Sequence, residues 1–197
     1  LFHHRDFPGR RVLAGLAALP VSLPPLVGVI AFLFLYGETG FMTRGVQLLL
    51  GLESPPWRLN GAWAILLVHA YTMYVYFYMF TAAGLARLDA AHAEAAAALG
   101  AGRWTTLSRV TLPMLAPAIG GAALLVFMTS MGSFSAPYVF GGGFRVLTTQ
   151  IFASKLNGDL AMAAVETVIL AAVSMLFLVF LQRYESRRAY TGSGKGA

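Results

Sequence analysis

Residues 12–36 read VLAGLAALPVSLPPLVGVIAFLFLY, a run of 25 residues without one Asp, Glu, Lys or Arg. About 20 apolar residues suffice for a helix to cross the hydrocarbon core of a bilayer, so this run is long enough to span. Pro20, Pro24 and Pro25 interrupt it. In water they would break a helix; among neighbouring helices in lipid a proline marks a kink whose freed carbonyls find other partners. A single run of this kind also suits the buried helix of a soluble protein. Three more follow, at 61–85, 113–134 and 160–181. The pattern predicts an all-α, polytopic membrane helix bundle of about four spans.

Composition agrees. Of 197 residues, 58% are hydrophobic and only 11% charged, where a soluble domain carries about 25% charged residues. The mean hydropathy is +0.70, which also excludes intrinsic disorder. The chain has no cysteine, so disulfides, thiolate metal sites and cysteine nucleophiles are ruled out. The net charge of +6 sits between apolar runs, which suits a membrane surface and not nucleic acid. The first residues, with HHRDFPGRR at 3–11, are too polar for a signal peptide. A chain that starts on Leu1 is expected to be a piece of something longer.

The connecting segments carry structure of their own. Met42 to Leu52 predicts a short helix lying at the interface or re-entering it, and Trp57 beside Pro55 and Pro56 suits headgroup level. In residues 86–112, Ala91 to Leu99 is a strong helix former with Asp89 placed as an N-cap or first-turn anion. Gly100 and Gly102 end that run, and Trp104 to Val110 predicts a second short helix. Val146 to Leu156 suits another, after the flexible Gly141 to Gly143. Residues 182–197 are basic and Gly-rich and read as a cytoplasmic tail or linker.

Charge bias orients the bundle. With four spans, Arg5, Arg10, Arg11, Arg87, Arg103, Arg109, Arg183, Arg187, Arg188 and Lys195 share one side, which is ten of the fourteen basic residues. Arg44, Arg58, Arg145 and Lys155 fall on the other. The positive-inside rule places the richer side in the cytoplasm, with both chain ends and the Ala-rich loop at 86–112.

Within the spans, Tyr71, Tyr74 and Tyr78 recur every three or four residues and so share a helix face. That face either lines a translocation path or packs against another helix. Glu166 is the one carboxylate of the last run; a charged group at depth normally faces protein or water, or, only about two turns in, the interface, and it is a second candidate for the path. His69 is read as a packed helix residue. No His, Asp or Glu spacing points to a catalytic or metal site, and no Gly-rich phosphate loop is present: Gly141-Gly142-Gly143 is followed by Phe and Arg.

The loop at 86–112 carries a longer pattern. Glu94-Ala95-Ala96 is followed after three residues by Gly100, and after nine more by Val110, with Leu112-Pro113 closing it. This resembles the coupling-loop signature of the inner-membrane permease subunits of binding-protein-dependent ABC importers. Asp6 to Arg11 looks like the polar segment before a Pro-rich span in these permeases, and Ser133-Phe134-Ser135-Ala136-Pro137 like the segment after a later one. These matches favour the branch handling ferric iron, polyamines, thiamine or phosphonates. Gly194-Lys195-Gly196 is similar to the joint of fused, two-repeat ferric-iron permeases.

The resemblance implies one permease domain over 1–197, lacking helices that the family places upstream, in the bacterial cytoplasmic (inner) membrane. It implies a cytoplasmic helix-turn-helix that docks on a pair of ATPase subunits, which would hold ATP and Mg while this chain holds no cofactor. Glu94 would meet basic or polar groups there, Ala95 and Ala96 would allow close packing, Gly100 would turn the chain, and Val110, Leu112 and Pro113 would set how the loop joins the next span. A second permease half (a second copy, a sister subunit or a fused repeat) and an extracytoplasmic solute-binding protein would complete the importer. The function implied is ATP-driven solute import, with ferric iron or a polyamine-like substrate favoured. An ion-coupled secondary transporter competes, since broken helices and an intramembrane carboxylate suit it too; a membrane enzyme finds no catalytic residue set.

Overall fold

The structure, a computed structural model, describes residues 8–192, with the backbone alone at Ala90 and 184–192. Ten α-helices form along the described residues: α1 Arg10–Ser22, α2 Pro25–Tyr36, α3 Phe41–Leu49, α4 Gly61–Arg87, α5 Ala90–Ala98, α6 Arg103–Thr106, α7 Leu112–Met131, α8 Ser135–Phe140, α9 Leu147–Leu156 and α10 Leu160–Gly192. A π-helical turn, Leu107–Thr111, joins α6 to α7. No strand occurs among the described residues.

Four stretches are long and apolar enough to cross a membrane: Pro25–Leu49, Gly61–Arg87, Arg103–Met131 and Leu160–Arg183. The second and fourth match runs in the sequence, while the third begins ten residues ahead of the run at 113–134. The first differs. Residues 12–36 are not one kinked span but two helices, α1 and α2, parted at Leu23 and Pro24. Pro24 holds an extended ψ of 136° because the residue before a proline is pushed out of the helical region, and Pro25 then opens α2, where its missing N–H costs nothing. The candidate crossing therefore begins at Pro25 and takes in α3. Two further differences concern chain ends of elements. Ser135–Phe140 forms a short helix that no expectation from the sequence covered. The last helix runs past Leu181 to Gly192, over residues expected as tail: Gln182, Arg183, Glu185, Arg187, Arg188 and Ala189 are all good helix formers. Asp6, Phe7 and residues 193–197, with the expected Gly194-Lys195-Gly196 joint, lie outside the described residues, as does Arg5.

The chain divides into two compact units. One comprises 19–74 and 128–177. Its core is a cluster of Val29 and Phe32 from α2, Ala64, Ile65 and Val68 from α4, and Ala136 and Phe140 from α8. Phe32 follows Val29 by three residues, Val68 follows Ile65 by three and Ala64 by four, and Phe140 follows Ala136 by four, so each helix contributes one stripe. The Phe32 ring lies 4.8 Å from Tyr36, 5.5 Å from Tyr71 and 6.1 Å from Phe140. Where α2 ends, the Tyr36 carbonyl accepts both the Trp57 indole N–H at 2.9 Å and the Thr43 hydroxyl at 3.1 Å. These satisfy an acceptor that a helix terminus leaves without an intrahelical partner.

The other unit comprises the described residues of 1–18, 75–127 and 178–197. Here small residues set the packing. A Cβ on Gly84 of α4 would stand 2.8 Å from Leu115 Cδ2 and 3.0 Å from Ala118 Cβ of α7, and one on Gly121 of α7 would stand 3.1 Å from the Phe80 ring. Glycine thus permits the close backbone approach that holds helices together in lipid, where apolar burial alone gives little drive.

Candidate functional site

The loop between α4 and α7 is built almost wholly from local interactions. Asp89 takes an extended backbone (φ −70°, ψ 128°), and its carboxylate accepts the Ala91 N–H at 3.0 Å. That is an N-cap, satisfying a donor the first turn of α5 would otherwise leave open. At the other end Gly100 adopts φ +78°, a left-handed conformation that costs residues with a Cβ about 1–2 kcal/mol. Its N–H donates to the Ala97 carbonyl at 2.9 Å, and the Ala101 N–H donates to the Ala96 carbonyl at 3.0 Å. This pair of reverse bonds is a Schellman motif. It closes the helix and turns the chain within two residues. Gly102, extended at ψ 161°, then starts α6.

Beyond α6 the backbone widens: the Leu112 N–H donates to the Leu107 carbonyl, five residues back. Trp104 to Val110, expected as a second short helix, is therefore continuous with the next span. The helical path from Arg103 to Met131 is continuous, and Pro113 falls just past a π-helical turn, where the usual i to i−4 bonding is already relaxed.

The expected coupling residues fall on this unit as follows. Glu94 and Ala95 are exposed on α5, Ala96 is half-buried, Gly100 is exposed at the turn, Val110 is half-buried in the π-helical turn, and Leu112 and Pro113 are exposed at the start of α7. Two residues without an expected role stand out beside them. Leu99 is 89% exposed and Trp104 is 78% exposed, on either side of the Gly100 turn. The signal was present: an Ala-rich helix offers Leu99 no neighbour of its own size to pack on.

The expected path residues separate. Tyr71 and Tyr74 are exposed on the first half of α4, while Tyr78 is half-buried on the second half. Glu166 on α10 is 9% exposed, and its Oε2 accepts the hydroxyl of buried Ser154 on α9 at 2.9 Å. Its depth in the fold is thus accounted for by a neighbouring helix. Sequence reasoning also missed the surroundings of His69. Its Nε2 lies 2.9 Å from Ser133 Oγ and its Nδ1 3.1 Å from Ser130 Oγ. Among the described residues, no three His, Asp or Glu side chains gather to hold a metal ion.

The family model described as "Binding-protein-dependent transport system inner membrane component" matches residues 3–190. The chain belongs to this family. Its relatives among inner-membrane components include the "Probable ABC transporter permease protein y4fN" of Sinorhizobium fredii (strain NBRC 101917 / NGR234), 30% identical over 95% of this chain and 33% of that protein. The ferric transport system permease protein FbpB of Actinobacillus pleuropneumoniae is 29% identical over 90% of this chain and 26% of its own length. The sulfate transport system permease protein CysT of Escherichia coli (strain K12) is 31% identical over 92% of this chain and 65% of its own. The chain thus spans about a third or less of the first two relatives. In fold it is similar to a chain of a bacterial alginate ABC transporter crystallised with its alginate pentasaccharide-bound periplasmic protein, with a TM-score of 0.74 at 18% identity, covering 94% of this chain and 68% of that one. Membership in the binding-protein-dependent transport family, with four apolar crossings, makes this a multi-pass inner-membrane permease component.

Proposed function

We propose that this chain forms half of the translocation path of an ATP-driven solute importer and that the α5–α6 loop is its cytoplasmic handle, seated on a pair of ATPase subunits. The observation that carries this reading is the loop itself. A locally capped helix, a glycine-made reversal and two exposed apolar residues, Leu99 and Trp104, present a preformed surface that the rest of its unit does not cover. Preformed surfaces bind with little ordering cost. Exposed Glu94 would add a charge contact, and the small Ala95 and Ala96 would let a partner groove come close. ATP and Mg would be held by those partners, a second permease half would complete the path, and a solute-binding protein would load it from the opposite face. The loop and both chain ends are assigned to the cytoplasm on the charge bias alone.

Ferric iron is the substrate we favour, on the ferric-transport relative; the polyamine-like alternative rests on the sequence resemblance, and the sulfate-transport relative marks an anionic competitor. Uptake of radiolabelled ferric ion, putrescine and sulfate by cells expressing the whole system separates the three.

The docking assignment is tested by co-purification. Glu94→Arg and Gly100→Asp should each lower recovery of the co-expressed ATPase about tenfold, equivalent to about 1.4 kcal/mol of binding, while membrane insertion is unchanged. Equal recovery from both variants and the parent overturns the assignment.

A further inference from the structure

His69 stands in the first half of α4, within a membrane-crossing helix, and both of its ring nitrogens are occupied. A neutral imidazole has one N–H and one bare nitrogen; a hydroxyl accepts from the first, and another donates to the second. Ser130 and Ser133 supply those two hydroxyls, at 3.1 Å and 2.9 Å. Ser130 lies in the last turn of α7, and Ser133 lies just past its end. The Ser133 carbonyl in turn accepts the Thr148 hydroxyl at 2.8 Å, which ties in the start of α9. Polar side chains in a crossing helix are costly unless they serve a purpose, and between apolar helices in lipid they are the specific ties.

The helices joined in this way are the two that leave the α5–α6 loop. His69 stands 18 residues before Arg87, where α4 ends, and Ser130 stands 18 residues after Leu112, where α7 begins. We propose that His69 is a positioning residue: its imidazole clasps the first half of α4 to the last turn of α7, so that these two segments keep one spacing instead of splaying. The consequence for transport rests on the docking function proposed above; the clasp itself does not.

The native chain has no cysteine, so a spin-label pair can be placed without removing any. Leu66→Cys on α4 and Met128→Cys on α7 are both exposed positions. In the full chain in lipid nanodiscs, the pair should give one narrow distance distribution. His69→Ala should broaden it, and His69→Gln, whose amide has N–H groups to donate and a carbonyl oxygen to accept, should restore it. In proteoliposomes of the assembled importer, His69→Ala should lower solute moved per ATP at least about threefold, with ATPase recovery unchanged. A distance distribution unmoved by His69→Ala overturns the clasp, and a proportionate fall of transport and hydrolysis overturns its consequence for transport. If His69→Ala fails to insert, the Ser130→Ala/Ser133→Ala double variant carries the same readouts. Failure of the parent chain to recover any ATPase would sink the docking reading instead, while the label distances would still decide the clasp.

Discussion

The loop around Gly100 and the cluster around Phe32 are held by opposite means. In the loop, every bond that fixes the backbone joins residues within five positions of each other: Asp89 to Ala91, Gly100 to Ala97, Ala101 to Ala96. In the cluster, Phe32 meets Tyr71 and Phe140, and Tyr36 is bonded by Trp57, across 21 residues or more. A locally stabilised element keeps its faces free because its shape does not depend on burying them. A cluster built from distant residues uses up its faces in forming. The first kind suits a part that must meet another protein, the second a part that must stay fixed while others move.

Substitutions can break this contrast. The largest effect is expected in the cluster. Phe32 is 4% exposed, and Phe32→Ala should cost about 3 kcal/mol by leaving a cavity, read as a lower midpoint of denaturant unfolding in detergent for the entire protein. Next comes the close approach of α4 and α7. Gly84→Val should cost about 2 kcal/mol by overpacking against Leu115 and Ala118, and a Leu115→Ala second change should recover part of it. The smallest lies in the loop. Asp89→Ala should cost about 1 kcal/mol, confined to faster hydrogen exchange of the α5 amides, with the global midpoint unmoved. A global loss from Asp89→Ala would show that the loop is not autonomous and would erase the distinction.

The same contrast explains what the sequence made legible. Long apolar runs, with Glu166 as their one carboxylate, announced α4, α7 and α10, because crossing a bilayer is a demand on nearly every residue of a segment. Asp89, the alanines and Gly100 announced α5 and its turn, because caps and glycine reversals act on their immediate neighbours. The Glu94-to-Pro113 pattern named the family for the same reason. What stayed hidden depends on partners far along the chain. His69 meets hydroxyls 61 and 64 residues away, and Glu166 meets Ser154 across the turn between α9 and α10. Neither pairing leaves a local mark. Pro24 and Pro25 did leave one, yet whether such a pair kinks a helix or parts it is settled by the residues around it, here in favour of two helices.

The wide turn at Leu107–Thr111 has an effect on rotational phase. Successive residues of an α-helix advance by about 100° around its axis, whereas five-residue bonding lets the backbone accommodate a residue without that full advance. The bearing of Trp104 is thereby set apart from the bearing of α7 against its neighbours. A lineage that gained or lost one residue in this turn would rotate the α5–α6 loop about the axis of α7 while α7 kept its own register.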